Sequence, residues 1–167
     1  IRKRNDALLM TYNDYKAETE RINQKQTELR IEITFKGDRE GFKSQLKNDF
    51  KGTGISDAKY QAISDAFTDY AAIIEDWIIC DGNKLKSIVT SGEYVKLEDK
   101  LRNQYEELLS RQVENKVDIY YHRKLLRQHS IGQRASALIL FILTQDDNDI
   151  IFIDQTEDDL DNKLIYD

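Results

Sequence analysis

No proline occurs among the 167 residues of this chain, although average usage of about 5% would give roughly eight. This absence favours long helices and excludes proline-rich linkers and recognition tails. The longest apolar stretch, Ala137 to Leu143, is much shorter than the roughly 20 residues of a membrane helix, so we expect no membrane span. The remaining composition, 40% hydrophobic and 34% charged, is typical of a soluble globular protein of about one domain.

Cysteine is nearly absent as well. The single Cys80 cannot form an internal disulfide, so nothing indicates an oxidising compartment and we expect a cytoplasmic protein. Because no histidine or second cysteine lies near it in the sequence, we predict a buried structural thiol. The chain begins at Ile1 without a signal-peptide pattern, and we interpret it as a piece of a longer protein.

The net charge of −6 is unevenly distributed. Residues 146–167 contain nine acids and one base, which leaves 24 bases and 22 acids for the other 145 residues. A strongly acidic end beside an apolar strand pattern is either solvated or a cation site. The balance of +2 elsewhere offers no basic patch for nucleic acid, so nucleic-acid binding is possible but unsupported by charge.

An apolar residue or a tyrosine recurs every seven positions at the beginning of the chain: Ile1, Leu8, Tyr15, Ile22 and Leu29. The positions that would complete a coiled-coil seam are mostly polar, so the seam would need an external partner helix. We predict the end of a coiled-coil arm over residues 1–28. The alternative is an amphipathic helix that lies on its own domain.

Further elements follow from periodicity and capping residues. Leu29 to Phe35 alternate as a strand, and Asp38 is a plausible N-cap for a helix that carries residues 42, 46 and 50. A helix is predicted from Ser56 to about Ile79, another over about residues 93–112, and a strand over 117–121. A loop is then expected as far as residue 130.

The last third of the chain suggests where a ligand would bind. Ser130 and Gln133 fit a capping box, and the apolar helix that follows, residues 135–143, should be buried on nearly every side. Residues 150–153 read as a strand covered on both faces, with Asp154 at its carboxyl end. In an open α/β sheet ligands bind at that edge.

Chemistry connects these two features. A helix start offers free N–H groups and partial positive charge to an anion, and Gly132 allows close backbone approach because it lacks a Cβ. Asp154 is a hard carboxylate that can hold Mg²⁺ directly or through water. A phosphate site next to a magnesium site suggests a nucleoside triphosphate.

The segments His129–Arg134 and Ile150–Asn162 together resemble the second lobe of an ABC-type ATPase head of the SMC-like kind. The first resembles the signature motif, usually written LSGGQ. The second resembles the Walker B strand and D-loop, with Leu160 and Asp161 six and seven positions after Asp154. More narrowly, the sequence of the second segment resembles that of bacterial phage-defence ATPases that work with nuclease or phosphoesterase partners.

The resemblance implies an α/β fold: the C-terminal lobe of an ABC/SMC-like ATPase head, residues 29–167 and incomplete, with a coiled-coil arm at its N-terminal end. It implies that Ser130 and the backbone at Gly132 contact the γ-phosphate of ATP held by the opposite head, with Gln133 supporting the loop. By the same similarity Asp154 positions Mg²⁺, and Asp161 reaches toward the partner's nucleotide.

Two departures from the family pattern affect the expected activity. The phosphate loop G-x-x-x-x-G-K-[ST] is absent, because Gly37 to Ser44 has one residue too few between its glycines, so that loop must lie on an N-terminal lobe elsewhere. Gln155 stands where many ABC ATPases have a catalytic glutamate, and an amide cannot take a proton. Glu157 could substitute as the base, or Gln155 could orient water.

Three functions follow from these observations. The first is an Mg-ATP-binding and hydrolysing half of an SMC-like ATPase, active only with the phosphate-loop lobe and a second head. The second is an ATP-gated clamp with little hydrolysis that controls an effector partner such as a nuclease. The third is a coiled-coil interaction domain that binds no nucleotide.

Overall fold

The computed structural model describes residues 2–25 and 28–143, and the chain within it forms two compact units. Unit 1 contains residues 1–8 and 34–116, and unit 2 contains residues 9–33 and 117–167. The larger segment of unit 1, residues 34–116, is therefore inserted into the sequence of unit 2. The described part is mixed α/β and mostly helical, which agrees with the predicted fold class at that coarse level.

Unit 1 is built from five helices after the loop at residues 35–38. They are α2 (Arg39–Asp49), α3 (Asp57–Ala66), α4 (Tyr70–Ile79), α5 (Asn83–Ile88) and α6 (Ser91–Ser110). The predicted N-cap Asp38 is confirmed, because its Oδ1 accepts a hydrogen bond from Gly41 N–H at 3.0 Å. Ser56 precedes α3 as predicted, and α6 begins two residues before the predicted start.

The core of unit 1 is a continuous set of buried apolar side chains from all five helices. At its centre Tyr70 packs edge-on against Phe42, with ring centroids 5.3 Å apart, and against Phe50 at 6.3 Å. Its hydroxyl donates to Asp49 Oδ2 at 2.6 Å. Burial and this bond to a carboxylate raise the pKa of the Tyr70 phenol.

The prediction of one continuous helix from Ser56 to Ile79 is wrong, because the chain breaks between α3 and α4. Phe67 adopts an extended conformation, and Asp69 caps α4 by accepting from Ala72 N–H at 2.9 Å. The Arg39 guanidinium donates to the carbonyl oxygens of Ser64 and Phe67 at the end of α3. Apolar spacing stays helical across the break, so periodicity could not reveal it.

Helix α5 was also not predicted. Gly82 begins it in the left-handed region, with φ of 64°, and a Cβ there would collide with the Tyr94 hydroxyl. The predicted burial of Cys80 is wrong, since this thiol is exposed just after the last turn of α4. The two residues before it, Ile78 and Ile79, are also exposed, so the end of α4 faces outward.

Both ends of unit 1 are tied to each other. Lys36 N–H donates to Asn115 Oδ1 at 2.9 Å, and Asp38 N–H donates to the Glu114 carbonyl at 3.0 Å. These bonds connect the segment that enters unit 1 to the segment that leaves it.

Unit 2 contains a three-stranded sheet in the order β1–β2–β3, with β1 at Leu29–Thr34, β2 at Lys116–Tyr121 and β3 at Lys124–Leu125. Strands β2 and β3 form an antiparallel hairpin, and His122 N–H donates to the Glu28 carbonyl, so the end of β2 lies beside the beginning of β1. The first two strands match their predictions, whereas β3 and a short 3₁₀ turn (Leu126–Gln128) replace the predicted loop.

The described part of unit 2 also contains α1 (Arg2–Lys25), which begins in unit 1, and α7 (Ile131–Leu143). Among the predicted heptad residues, Tyr15 is 57% exposed, while Ile22 is buried against Leu29 and Ile31 of its own unit. Packing at Ile22 favours the alternative of a helix on its own domain at that position. The coiled-coil arm over residues 1–28 stays a prediction.

The expectation that α7 is buried on nearly every side is wrong for its described residues. Ala137 and Ser136 are buried, but Ile131 is 70% exposed and Leu138 is 57% exposed. Ala137 lies in the same buried cluster as Ile22, Leu29, Ile31 and Tyr121, so this side of the helix packs on the described core of unit 2. No helix in residues 2–25 and 28–143 is long and apolar enough to cross a membrane.

Candidate functional site

The predicted capping box is present at the beginning of α7. Gln133 N–H donates to Ser130 Oγ at 3.3 Å, and Ser130 N–H donates to Gln133 Oε1 at 3.3 Å. The structure therefore brings Ser130, Gly132 and Gln133 together in one helical turn, as predicted. The other predicted site residues lie outside the described residues: Asp154, Gln155, Glu157 and Asp161.

His129 belongs to the same site and was not predicted as a functional residue. Its Nδ1 lies 3.0 Å from Gln133 Oε1, and its Nε2 lies 2.9 Å from the carbonyl oxygen of Tyr121. The ring also packs edge-on against the Tyr121 ring, with centroids 5.5 Å apart. His129 thus connects the end of β2 to the first turn of α7. The i,i+4 spacing of His129 and Gln133 could have suggested their contact, but no sequence pattern indicates the Tyr121 carbonyl.

The hairpin beside this site has an unusual backbone. His122 and Arg123, the two residues between β2 and β3, have φ values of 47° and 66°. Two successive left-handed residues define the tight hairpin turn that usually requires Asn-Gly. Neither residue is glycine, so the turn retains steric strain, and the His122 ring packs on Tyr121 with centroids 4.1 Å apart.

The first turn of α7 carries no acid. No aspartate or glutamate occurs between residues 119 and 145, whereas four exposed bases do: Arg123, Lys124, Arg127 and Arg134. Within the described ranges, neither Ile131 N–H nor Gly132 N–H has a hydrogen-bond acceptor. Among the described residues, the start of α7 is therefore a positive end to which no carboxylate is bonded.

Helices α2–α6 of unit 1 begin differently, because each has a carboxylate at its start. These carboxylates are Asp38 for α2, Asp57 for α3, Asp69 for α4, Asp76 for α5 and Glu93 for α6. Asp76 illustrates the pattern, since its two oxygens accept from the N–H groups of Lys84 and Leu85 at 3.2 and 3.0 Å. The positive ends of α2–α6 are therefore compensated from within the protein.

A groove of about 310 Å³ lies next to the α7 start in unit 2. Arg127 and Arg134 line it together with Asp118 and apolar residues of β2 and of the segment after it. A second cavity of about 340 Å³ belongs to unit 1, but its charges are paired internally. There the Lys36 ammonium contacts the Asp69 carboxylate and donates to Asn5 Oδ1 at 3.0 Å.

The donor groups at the α7 start fit a phosphate: open N–H groups, a hydroxyl and nearby bases. Magnesium is a different case. In the part of the chain that the structure describes, no group of three or more acidic, histidine or cysteine side chains could hold a metal ion. The predicted Mg²⁺ ligand, Asp154, lies outside that part.

Comparison with known proteins identifies no relative. No family model, no curated protein and no solved structure matches this chain.

Proposed function

We propose that this chain is the signature-motif half of an SMC-like ABC ATPase, which binds and hydrolyses Mg-ATP only when two heads pair. An N-terminal lobe supplies the phosphate loop that holds ATP in each head. The start of α7 then meets the γ-phosphate of ATP bound to the opposite head, so ATP itself forms part of the interface between heads.

The observation that carries this proposal is the uncompensated start of α7. Helices α2–α6 each have a carboxylate at their start, whereas α7 begins with Ser130, two open N–H groups and a neutral Gln133. An internal carboxylate would compete with a phosphate for these donors, and none is present among the described residues of this turn. An anion that binds here must therefore come from outside the turn.

Each residue of the turn has a defined role in the proposal. Ser130 Oγ accepts from Gln133 N–H and keeps its own proton to donate to a phosphate oxygen. Gly132 presents its N–H group without a side chain in the way. Gln133 is held by His129 and fixes the loop. Asp154, as Mg²⁺ ligand, and Asp161, as the residue that reaches across, enter through the resemblance in sequence.

Gln155 favours a second candidate, the ATP-gated clamp that positions an effector such as a nuclease. An amide in the place of the catalytic base is expected to slow hydrolysis by about 10² to 10⁴. In the clamp, ATP holds two heads together for long periods and hydrolysis serves only to reset them. In the hydrolase, Glu157 takes the proton or Gln155 orients the attacking water.

The central experiment compares Gln133→Glu with wild type in the complete protein that includes the phosphate-loop lobe. A glutamate at this position reproduces the box of α6, so it should raise the melting temperature slightly by placing negative charge at a helix start. The same charge should repel the incoming γ-phosphate and abolish ATP-driven pairing of heads, measured by light scattering with and without ATP. Pairing that is unchanged in the folded variant would refute the proposal.

Three further variants make this result specific. Gly132→Asp and Ser130→Arg should also block pairing, by like charge or by bulk, while each head still binds ATP at its own phosphate loop. Glu93→Gln is the matched control, because it removes the charge from the box of α6 and should leave pairing intact. A Gly132→Asp protein that still pairs on ATP would remove the main support for the signature assignment.

Hydrolase and clamp are separated by Gln155→Glu. If wild type and variant both pair on ATP but only the variant releases phosphate repeatedly, the clamp is correct. If wild type already turns over at a comparable rate, the hydrolase is correct. Asp154→Asn should impair both activities without changing the melting temperature, since it removes charge from the metal ligand but preserves its size.

A further inference from the structure

The outer edge of β1 carries an unusual pair of hydrogen bonds. Within the described sheet, β1 has β2 on one side only. The Glu28 carbonyl accepts from His122 N–H at 2.9 Å, so the even-numbered backbone groups of this segment face β2. Because direction alternates along a strand, the odd-numbered groups at Ile31 and Ile33 face the outer edge.

Asn23 of α1 satisfies this edge as a neighbouring strand would. Its Nδ2 donates to the Ile31 carbonyl at 2.8 Å, and its Oδ1 accepts from Ile31 N–H at 2.8 Å. Two reciprocal bonds to one residue are the pattern of a hydrogen-bonded pair in an antiparallel sheet. The Tyr12 hydroxyl adds a third bond, to the Ile33 carbonyl at 3.3 Å. Two side chains therefore occupy the place of a strand.

Most of the described side chains of α1 from residue 9 onward are exposed. Of its described side chains from residue 9 onward, Ile22 alone is buried. Leu9, Met10 and Tyr15 are 44%, 69% and 57% exposed. Among the described contacts of this helix with unit 2 are the burial of Ile22 and the three bonds to the edge of β1, and each of these bonds is worth little in net free energy.

The sequence of β1 is complementary to itself in the antiparallel direction. If two copies pair about a two-fold axis at Ile31, Arg30 of each copy lies opposite Glu32 of the other. In the same register Leu29 of each copy lies opposite Ile33 of the other. In this register each charged residue faces a residue of opposite charge, and each apolar residue faces another apolar residue. A two-fold interface requires such self-complementarity.

We propose that the outer edge of β1 is a pairing interface for the β1 strand of a second copy, and that Asn23 and Tyr12 of α1 keep it closed. When α1 leaves the edge, the Ile31 and Ile33 groups are released and pair with those of the second copy. This interface needs no nucleotide and is separate from the α7 start, so it does not rest on the proposed ATPase function. It makes the position of α1 a control on self-association.

The test uses the double variant Tyr12→Phe/Asn23→Ala of the full chain, without nucleotide. It removes the three bonds but keeps the apolar contacts, and alanine suits a helix. Sedimentation equilibrium should show self-association at least about tenfold tighter than that of wild type, since net hydrogen-bond energies of this size correspond to about that factor. Gln24→Ala, which alters an exposed residue of the same helix, should match wild type.

Charge variants show whether β1 forms the interface. Adding Glu32→Lys to the double variant places a lysine side chain opposite Arg30 of the other copy, so the tighter association should disappear. Adding Arg30→Glu as well restores opposite charges and should restore association. The proposal would be overturned if wild type and the double variant self-associate equally tightly. It would also be overturned if adding Glu32→Lys does not weaken the association of the double variant. If circular dichroism shows that the double variant is unfolded, Asn23→Asp replaces it, because its carboxylate repels the Ile31 carbonyl and removes one bond alone.

Discussion

The capping box that begins α6 in unit 1 and the one that begins α7 in unit 2 share their geometry but differ in charge. In α6 the Thr90 N–H donates to Glu93 Oε2 at 2.7 Å, and the Lys59 ammonium lies 2.5 Å from the same carboxylate. In α7 the Ser130 N–H donates to the Oε1 of the neutral Gln133 at 3.3 Å, and Gln133 N–H donates to Ser130 Oγ at 3.3 Å.

This difference in charge distinguishes a helix start that stabilises its own unit from one that can bind a ligand. A glutamate at the third helical position neutralises the helix start and ties it to its own unit, so nothing remains for a ligand. A glutamine closes the same box without neutralising the start. Unit 1 uses the first solution or an equivalent carboxylate at all five helices, whereas α7 uses the second. We infer that unit 1 is arranged for stability and that the α7 start is arranged to accept an anion.

The largest effect should come from Asp69, where a helix start coincides with a buried ion pair. Its carboxylate caps α4 and contacts the Lys36 ammonium, and both side chains are about nine-tenths buried. Asp69→Ala leaves that ammonium unpaired, so we expect a loss of about 3–5 kcal/mol in the free energy of unfolding, measured by urea denaturation. Glu75→Ala, an exposed change on the same helix, should cost much less. Equal losses would show that helix-start carboxylates do not stabilise unit 1.

The two boxes can be compared directly by Thr90→Ala and Ser130→Ala. Removing the α6 cap should cost about 1 kcal/mol or more, because Thr90 Oγ1 also donates to the Glu93 carboxylate at 2.9 Å, whereas removing the α7 cap, which faces the neutral Gln133, should cost about 0.5–1 kcal/mol. Denaturant unfolding of both variants measures the difference. In the complete protein only Ser130→Ala should also weaken ATP-driven pairing. If Ser130→Ala lowers stability but leaves ATP-driven pairing unchanged, Ser130 acts only as a helix cap.

The smallest effect concerns acid stability. Hydrogen bonds from Lys59 and from the Thr90 backbone lower the pKa of Glu93 from 4.5 to about 2, and bonds from Lys43 and Lys47 lower that of Asp57 from 3.8 to about 2. Because these pKa values are lower in the folded state, their contribution is complete above about pH 4.5 and is lost as the pH falls toward 2.

Thermal unfolding of wild type should therefore show a decline in melting temperature over this acid range, together with the contributions of other carboxylates. Glu93→Gln and Asp57→Asn should each reduce the steepness of that decline. Gln133→Glu should not add comparable steepness, since no lysine is bonded at that box. A wild-type melting temperature that is constant from pH 5 to about 2 would contradict this account.

Local signals predicted local structure well. Asp38 and Ser130 were recognised as caps because a short polar side chain before an apolar pattern has few other uses. Alternation predicted β1 and β2 for a similar reason. The break after Phe67 was missed because it depends on Arg39, which lies 28 residues away in the sequence and satisfies the carbonyl oxygens there. Exposure of Cys80 depends likewise on how α4 packs, which the sequence of α4 alone does not determine.

The motif residues of the candidate site could be predicted from the sequence, but the contacts that hold them in place could not. Ser130, Gly132 and Gln133 could be found from spacing, since they occupy one helical turn. The bond from His129 to the Tyr121 carbonyl depends on a tight hairpin at His122 and Arg123, and neither residue is typical of such a turn. Sequence patterns are least informative where the backbone adopts conformations that its residues do not prefer.

The bonds between Lys36 and Asn115 and between Asp38 and Glu114 also bear on how the chain folds. Strands β1 and β2 are separated by residues 34–116, and joining them directly would require the closure of a long and slow loop. Once unit 1 has folded, these two bonds bring the ends of that loop together. Unit 1 then serves as the connection of a β1–β2 hairpin, so we expect the pairing of these strands to follow the folding of unit 1 and to require little further loop closure. Because the outward-facing groups of Ile31 bond to Asn23, only eight residues away, that edge of β1 can be satisfied before β2 is synthesised, whereas the edge that faces β2 waits until unit 1 is complete.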